Sequence, residues 1–495
     1  MLPSTRLKKK VVVIGSGFAG LSAASFMAKA GWGVTVIEKQ ATPGGRARQL
    51  KENGFTFDMG PSWYWMPDVF ERYFAQFSKS VADYYTLYRL DPSYRIFWSD
   101  GFADIPADLS ALKQLLESWE PGAARQLDLF LKEAEFKYKT GIQKLVFKPG
   151  QSITEFLDWD VIKGVFRLDI FTSIRKHIHK YFKHPKTRQL LEFPVLFLGA
   201  LPENTPALYS LMNYADIIGG TWYPQGGMYS VVDAMYKLAV ELGVQFQFNQ
   251  NVTRIDLLAG SAKKVITAAK EYDADVVIGG ADYHFIETSL LPESFRSYSA
   301  TYWDKRLLAP SCLLYYVGLN KRLQNIQHHM LVFDVPFEQH AKEIYTTRKW
   351  PEAPLFYVSA SSLTDISVAP AGCENLVFLV PIAAGLTGDT EELRKYYFEL
   401  ILRRFEQHIG QPIADSIVYY KSFSCSDFVY EYNSYKGNAY GLANTLSQTA
   451  IFKPACRSKK VTNLFYTGQL TVPGPGVPPS LISGEVVAKQ VLKYF

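Results

Sequence analysis

Cysteine is scarce: the chain carries four, Cys312, Cys373, Cys425 and Cys456, and none forms a CxxC pair. That excludes a disulfide-framed fold and a cysteine zinc site, and it fits a reducing compartment. Long apolar runs are missing as well. No stretch reaches the roughly 18 residues that a spanning helix needs, so no transmembrane helix of standard length is expected. Charge of one sign is also in short supply. A formal net charge of +6 over 495 residues offers no clustered basic face for nucleic acid, although a weak attraction to anionic lipid remains open. The histidines, among them His177, His179, His184 and the pair His328-His329, lack metal-ligand spacing and read as surface residues. No metal site is expected. Neither a Ser/His/Asp nor a Cys/His arrangement can be assembled from linear order, so the catalytic residue stays unassigned. Lys8-Lys9-Lys10 before Val11-Val12-Val13-Ile14 imitates a signal peptide, but glycines interrupt the apolar part too early. A cytoplasmic chain without a signal peptide, soluble or peripherally membrane-associated, is expected.

What the chain has is length and aromatic side chains. Cores rarely grow beyond ~250–300 residues, so 495 residues imply two domains. Phe and Tyr supply most of an aromatic content of 15%, a surplus that suits a large core or a cavity for a flat, apolar, extended ligand. Val11 to Ile14 is a β-branched run of the kind buried on both faces of a parallel sheet. A glycine turn follows, then an Ala-rich helix from Leu21 to Ala30, then a strand at Val34 to Ile37. Residues 85 to 215 mix helical patterns with aromatic runs. From Gly226 the pattern returns to nucleotide-domain type: a helix through Met235 and Leu238, a strand at Val244 to Phe248, and further strand signals at Val252 to Ile255 and Ala274 to Gly280. Beyond residue 286, strands such as Leu313 to Val317 and Leu376 to Val380 accompany a helix from Glu391 to Phe405. The chain closes with a strand at Leu464 to Tyr466, a glycine loop and a helix from Leu481 to Leu492. The expected class is α/β (α+β): a Rossmann-like domain with a doubly wound parallel sheet from residues 1–85, 215–285 and 456–495, plus a mixed-sheet and helical substrate domain from 86–214 and 286–455.

Gly15-Ser16-Gly17-Phe18-Ala19-Gly20 is a GxGxxG between strand and helix. Gly15 permits the tight turn, Gly17 lets backbone approach a pyrophosphate, and Gly20 lets helix and strand pack closely. The helix then presents free N–H groups and the positive end of its dipole to phosphate. Glu38, followed by Lys39, ends the second strand near the ~20-residue offset at which a carboxylate accepts ribose hydroxyls, and it would repel a 2′-phosphate. Pro43-Gly44-Gly45-Arg46 comes directly after. A simple NAD dehydrogenase has no use for a second glycine pair and an arginine there; they can bring backbone and guanidinium to another side of the diphosphate, which points to non-covalent FAD.

Over nearly its full length the sequence resembles the two-dinucleotide-binding-domain flavoproteins, which include amine oxidases and carotenoid desaturases. Phe57-Asp58-Met59-Gly60-Pro61-Ser62, Tyr223-Pro224-Gln225-Gly226-Gly227-Met228 and Thr467-Gly468-Gln469 through Pro473-Gly474-Pro475-Gly476-Val477-Pro478 are similar to the bacterial and fungal phytoene desaturases. The resemblance implies a flavin site that includes Gly60, Pro61, Ser62, Gly468, Gln469, Gly476 and Val477, with the last loop and its helix covering the isoalloxazine side and Val252 meeting the adenine end. Where the family often carries histidine before the Pro-Gly of that loop, this chain has Val472, so no titratable side chain there can be essential.

Making a C=C bond in an isoprenoid removes a hydride and a proton from adjacent carbons, and FAD can take the hydride. The protein's task is then to hold a flexible carotenoid-like hydrocarbon, and Trp63-Tyr64-Trp65, Phe193 to Leu198 and Trp222-Tyr223 are candidate linings as well as candidate core. Between Val161 and His184, Lys163, Arg167, Arg175, Lys176, Lys180 and Lys183 face a single acid, Asp169, while Ile170, Phe171, Ile174, Ile178, Tyr181 and Phe182 fall on one helical arc. That pattern suits a helix at a membrane surface or a core-facing helix with a solvated basic side. Other functions consistent with the resemblance are later-stage carotenoid desaturation, carotenoid isomerisation, retinol saturation, or, without redox work, prenyl-lipid binding of the Rab escort and GDP-dissociation inhibitor kind. The intact flavin residues speak against the last. One GxGxxG argues against a second NAD domain, and the final electron acceptor stays open between oxygen, a quinone and NAD.

Overall fold

Four consecutive β-branched residues, Val11 to Ile14, can satisfy their side chains only between two layers, and all four are buried. They form most of the strand Lys10–Ile14 at the centre of a five-stranded sheet. In the computed structural model, which describes residues 8–152, 155, 169, 171–199 and 201–495, every pairing in this sheet is parallel. Its order is Leu464–Tyr466, Val276–Gly279, Lys10–Ile14, Gly33–Ile37, Gln245–Gln247. Strand order therefore reverses beside Lys10–Ile14, the place where doubly wound sheets open a crevice at the carboxyl ends of their strands. The helices Phe18–Lys29 and Val477–Tyr494 pack on this sheet. They cross so closely that a Cβ on Gly484 would stand 2.4 Å from the Ala19 carbonyl oxygen, and Ser22 Oγ donates to the Leu481 carbonyl at 2.7 Å across the crossing. A larger residue would force the helices apart.

A second, seven-stranded sheet runs in the order Ile417–Phe423, Ser311–Leu319, Glu374–Ile382, Phe356–Ser359, His329–Val332, Tyr94–Trp98, Gly101–Ile105. It is antiparallel except where His329–Val332 meets Tyr94–Trp98. One face packs on the helix Glu391–Ile409, with Phe378 5.5 Å from Phe405 and 6.1 Å from Phe398. The opposite face, carrying Cys312, Leu314 and Leu379, turns toward the crevice of the first sheet. The aromatic run Tyr94–Trp98, in the segment where the sequence mixes helical patterns with aromatic runs, is a buried strand of this sheet. Its neighbours in sequence do form helices, Leu109–Trp119, Ala123–Thr140, Ile174–Tyr181, Pro185–Glu192 and Leu211–Ile217. Leu87–Arg89 pairs with Trp222–Pro224, so the chain leaves and re-enters this region side by side.

The structure describes the basic segment only in part. Residues 161–168 and Ile170 lie outside the described residues, but in the helix Ile174–Tyr181 and just after it Ile174, Ile178 and Phe182 are buried in the core, while Lys176, Lys180 and Lys183 are exposed. Here these three residues pack inward against the helix Ala123–Thr140, with Tyr181 Oη donating to Glu133 at 2.8 Å, whereas Phe171 of the same apolar arc is 85% exposed. That is the core-facing alternative, with a solvated basic side.

Candidate functional site

The crevice at the switch point opens into a cavity of about 270 Å³. A second hollow, beside Arg306 and Lys436, measures about 20 Å³, the scale of a water molecule. The larger cavity is walled by Gly15, Ser16, Gly17, Phe18 and Ala19, by Glu38 and Lys39, and by Gly44, Gly45 and Arg46. Gly60, Pro61, Val252, Gly468, Gln469, Gly476 and Val477 complete the residues that the sequence nominates and the fold brings together there. Two nominated residues stand apart. Gly20 lies one layer behind, where a Cβ would be 2.1 Å from the Gly15 carbonyl oxygen, so its part is helix–strand packing. Ser62 turns to the other sheet, with its Oγ 3.0 Å from the Tyr357 hydroxyl.

Glu38 is buried at the end of its strand and grips the glycine loop. One carboxylate oxygen accepts from Ser16 N–H at 2.8 Å and Ser16 Oγ at 2.7 Å, and the other accepts from Gln40 N–H at 2.9 Å. The acid is thereby fixed before any ribose arrives. The helix Phe18–Lys29 begins at Gly17 without a side-chain cap, and Val477–Tyr494 begins at Gly476 likewise. Both N-termini border the cavity with their positive dipole ends; the first can offer the N–H groups of Phe18, Ala19 and Gly20, whereas Pro478 and Pro479 leave the second only the Val477 N–H before Ser480 N–H bonds to Gly476. A Cβ on Gly17 would meet nothing within 4 Å; the open space there is what a close-lying diphosphate requires.

Arg46 reaches into the same wall. Its Nη2 donates to Ser434 Oγ at 2.8 Å and to the Asn438 carbonyl at 3.3 Å, whereas its enclosed Nε has no partner. Burial lowers the guanidinium's pKa, with Asp282 acting in the opposite sense; burial likewise raises that of Asp282, with Arg46 opposing. A buried cation with a spare N–H beside two bare helix N-termini fits a dinucleotide diphosphate.

Several wall residues escaped sequence reasoning. Gln250 and Asn251 precede Val252, and Gly280 to Asp282 follow the strand Val276–Gly279; their signal was available as strand-end position. Cys312, Leu314, Leu379, Glu431, Tyr432 and Tyr440 carry none, because the second sheet and its loops come to the site only through tertiary packing. The proposed linings Tyr64, Trp65, Phe193 and Tyr223 are core residues and do not border the cavity. The histidines expected at the surface also need correcting: His177, His328, His329 and His340 are all buried, and burial drives their pKa values down, to about 4 for His177 and about 3 for His328. Glu133, Asp169 and His177 bring potential ligand atoms within 4.8 Å of one another. Lys137, buried, places Nζ 3.4 Å from His177 Nε2, so an ammonium already occupies the place where a metal cation would be drawn.

Residues 18–492 match the family model described as flavin containing amine oxidoreductase. A carotenoid 3,4-desaturase of Haloarcula japonica is 41% identical over 485 residues, covering 98% of each chain. A zeta-carotene-forming phytoene desaturase of Myxococcus xanthus is 31% identical over 98% of this chain and 94% of its own. Among solved structures, an oxidoreductase from Methanosarcina mazei superposes with a TM-score of 0.64 at 16% identity, over 97% of this chain and all of its own, which speaks for the fold.

Proposed function

The chain belongs to the flavin-containing amine oxidoreductase family, among the carotenoid desaturases of the phytoene desaturase type, and from that premise we propose that it desaturates a partly conjugated acyclic carotenoid near the end of the chain. It is an FAD-dependent oxidoreductase acting on CH–CH bonds. The finer choice, a later-stage substrate ahead of phytoene, draws on the 41% identity to a protein named for 3,4-desaturation against 31% to one named for phytoene.

The observation that carries the hydrocarbon reading is the state of the cavity's acids. Glu38, Asp282 and Glu431 are its carboxylates among the described residues, and each is engaged by the protein itself. Glu38 holds Ser16 and Gln40; Asp282 accepts Tyr435 and Phe285 N–H and faces Arg46; Glu431 takes Arg48 and Gln40 at 2.9 Å each. None stands as an unpartnered carboxylate aimed at an ammonium substrate. The sheet side, with Cys312, Leu314 and Leu379, offers apolar surface instead.

Bound FAD supplies the two-electron acceptor for the hydride. The chain's own residues do the rest. Glu38, Arg46 and the two helix N-termini fix the dinucleotide, the dipole of Val477–Tyr494 favours negative charge near its start, and the sheet side orients the hydrocarbon and keeps water out. Docking to a membrane surface, from which so apolar a substrate would be drawn, belongs to the same proposal and is supported by the exposed Lys176, Lys180 and Lys183. The test is to incubate the yellow holoprotein with phytoene and, separately, with a longer-conjugated acyclic carotenoid. A red shift with the second substrate and a gain of double bonds by mass supports the reading. Isomerisation would change the spectrum at constant mass and would overturn it, as would conversion of phytoene alone.

A further inference from the structure

Side chains on the cavity-facing side of the seven-stranded sheet stand in a row across its strands. Leu314 lies opposite Leu379, Leu379 opposite Tyr357, Tyr357 opposite Leu331, and Leu331 opposite Ile96. Residues paired in this way share a face. Leu314 and Leu379 border the flavin cavity, so the row leads out of it, and Tyr357 is the first residue beyond the wall. Neighbouring strands lie about 5 Å apart.

Tyr357 is held more firmly than packing requires. Its hydroxyl lies 2.6 Å from His329 Nδ1 and 3.0 Å from Ser62 Oγ. The His329 ring is stacked on Trp63 with centroids 4.2 Å apart and planes 8° from parallel. Trp63 in turn lies 5.3 Å from Tyr94 and 6.2 Å from Phe193. His329 is wholly buried and kept neutral by burial, and its Nε2 has no partner. Polar groups placed in an aromatic wall cost stability that an apolar set would not. What they give in return is a ring fixed from two directions, by a loop that adjoins the nucleotide site and by the next strand of the sheet. Past Tyr357 the row runs into Leu331 and Ile96, which are buried in the main core with Tyr94 and Phe193.

We propose that Tyr357, pinned by His329 and Ser62, is the end-stop behind the sheet side of the flavin cavity and decides which carbon–carbon bond of a polyene rests at the flavin. The stop stands about one strand spacing beyond Leu379 and about two beyond Leu314, on the order of 5 and 10 Å, which leaves room for the last few carbons only. A bond near the chain terminus is thereby presented, and a central bond is held out because half of the molecule would have to pass the ring. This rests on the polyene desaturase reading and assigns the residue behind its bond choice. Tyr357 is a specificity residue; it takes no proton and no hydride.

The experiment compares wild-type, Tyr357→Ala, Tyr357→Leu and Tyr357→Phe holoproteins on an acyclic carotenoid that has saturated bonds both near one terminus and near the centre. Product positions are assigned by mass and NMR, and bound FAD is quantified in each protein. Tyr357→Phe, which keeps the ring but loses the contacts to His329 and Ser62, should fall between wild type and Tyr357→Ala in bond choice. Tyr357→Ala should raise the ratio of inner to terminal desaturation about tenfold, the scale on which pocket shape discriminates substrates. Should the alanine protein fail to fold, Tyr357→Leu carries the same expectation, with a smaller change. An unmoved ratio in a flavin-replete Ala or Leu protein overturns the end-stop while leaving the desaturase reading intact. A flavin-replete wild type that turns over no polyene removes that reading, and the end-stop with it.

Discussion

Arg46 shows how a single side chain links the sequence motif to cofactor retention. It follows the second glycine pair, its Nε is enclosed without a partner, and Asp282 supplies its nearby opposite charge. Replacing it with alanine removes a charge-assisted contact of about 1.5–3 kcal/mol and leaves Asp282 buried without its counter-charge. Arg46→Ala is therefore expected to weaken FAD binding by roughly 10- to 100-fold, read by fluorescence titration of the apoprotein. Arg46→Lys should fall between, because an ammonium cannot reproduce the planar fork. Undiminished affinity in the alanine protein would place the diphosphate elsewhere. At this scale Gly15, Gly17, Glu38 and Arg46 were readable from the sequence because each sits within a few residues of the chain feature that uses it. Tyr357 and Tyr440 were not, since nothing local distinguishes them from other core tyrosines.

Between elements, one buried carboxylate ties the helix Leu211–Ile217 to the strand Tyr94–Trp98. Asp216 accepts from Tyr94 Oη at 2.7 Å and from Thr221 Oγ1 at 3.1 Å, and burial raises its pKa from 3.8 to about 6. The folded chain thus retains a proton that the unfolded chain releases near pH 4. Stability should decline as pH rises from about 4 to about 6, by on the order of 2–3 kcal/mol, and level off above. Asp216→Asn is expected to remove that segment of the profile, which urea unfolding at pH 4.5 and pH 7 would show. An unchanged slope would mean that Asp216 is ionised throughout. Pattern reading found most elements of the two sheets but assigned no strand to Tyr94–Trp98. A run of five large buried side chains has no period to read, and only its partner His329–Val332, more than 200 residues away, makes it a strand.

Across the whole molecule, the last turn of the helix Cys425–Tyr432 closes the cavity from the side of the second sheet. Lys39 Nζ donates to the Tyr430 carbonyl. Gln40 Nε2 and Arg48 Nη2 each donate to Glu431 at 2.9 Å, while Arg48 Nη1 donates to Gln40 Oε1 at 2.8 Å. Glu431→Ala should release FAD a few-fold faster and also lower the unfolding midpoint, since the Arg48–Glu431 pair is largely enclosed, at 14% and 28% side-chain exposure, and its loss leaves Arg48 without that counter-charge; stopped-flow fluorescence of FAD release would show it, and an unaltered rate would mean that the closure holds nothing. The amino-acid sequence by itself determined the parallel nucleotide-binding sheet, the diphosphate cradle and the acid beside it, because a glycine turn, a buried β-branched run and a strand-end carboxylate act over distances of a few residues. Tertiary structure alone decided which face of the second sheet borders the cavity, that Ile174, Ile178 and Phe182 turn inward while Phe171 stays exposed, and that four histidines are buried. Those outcomes depend on contacts between segments far apart in sequence, where one apolar residue reads much like another until packing gives it a neighbour.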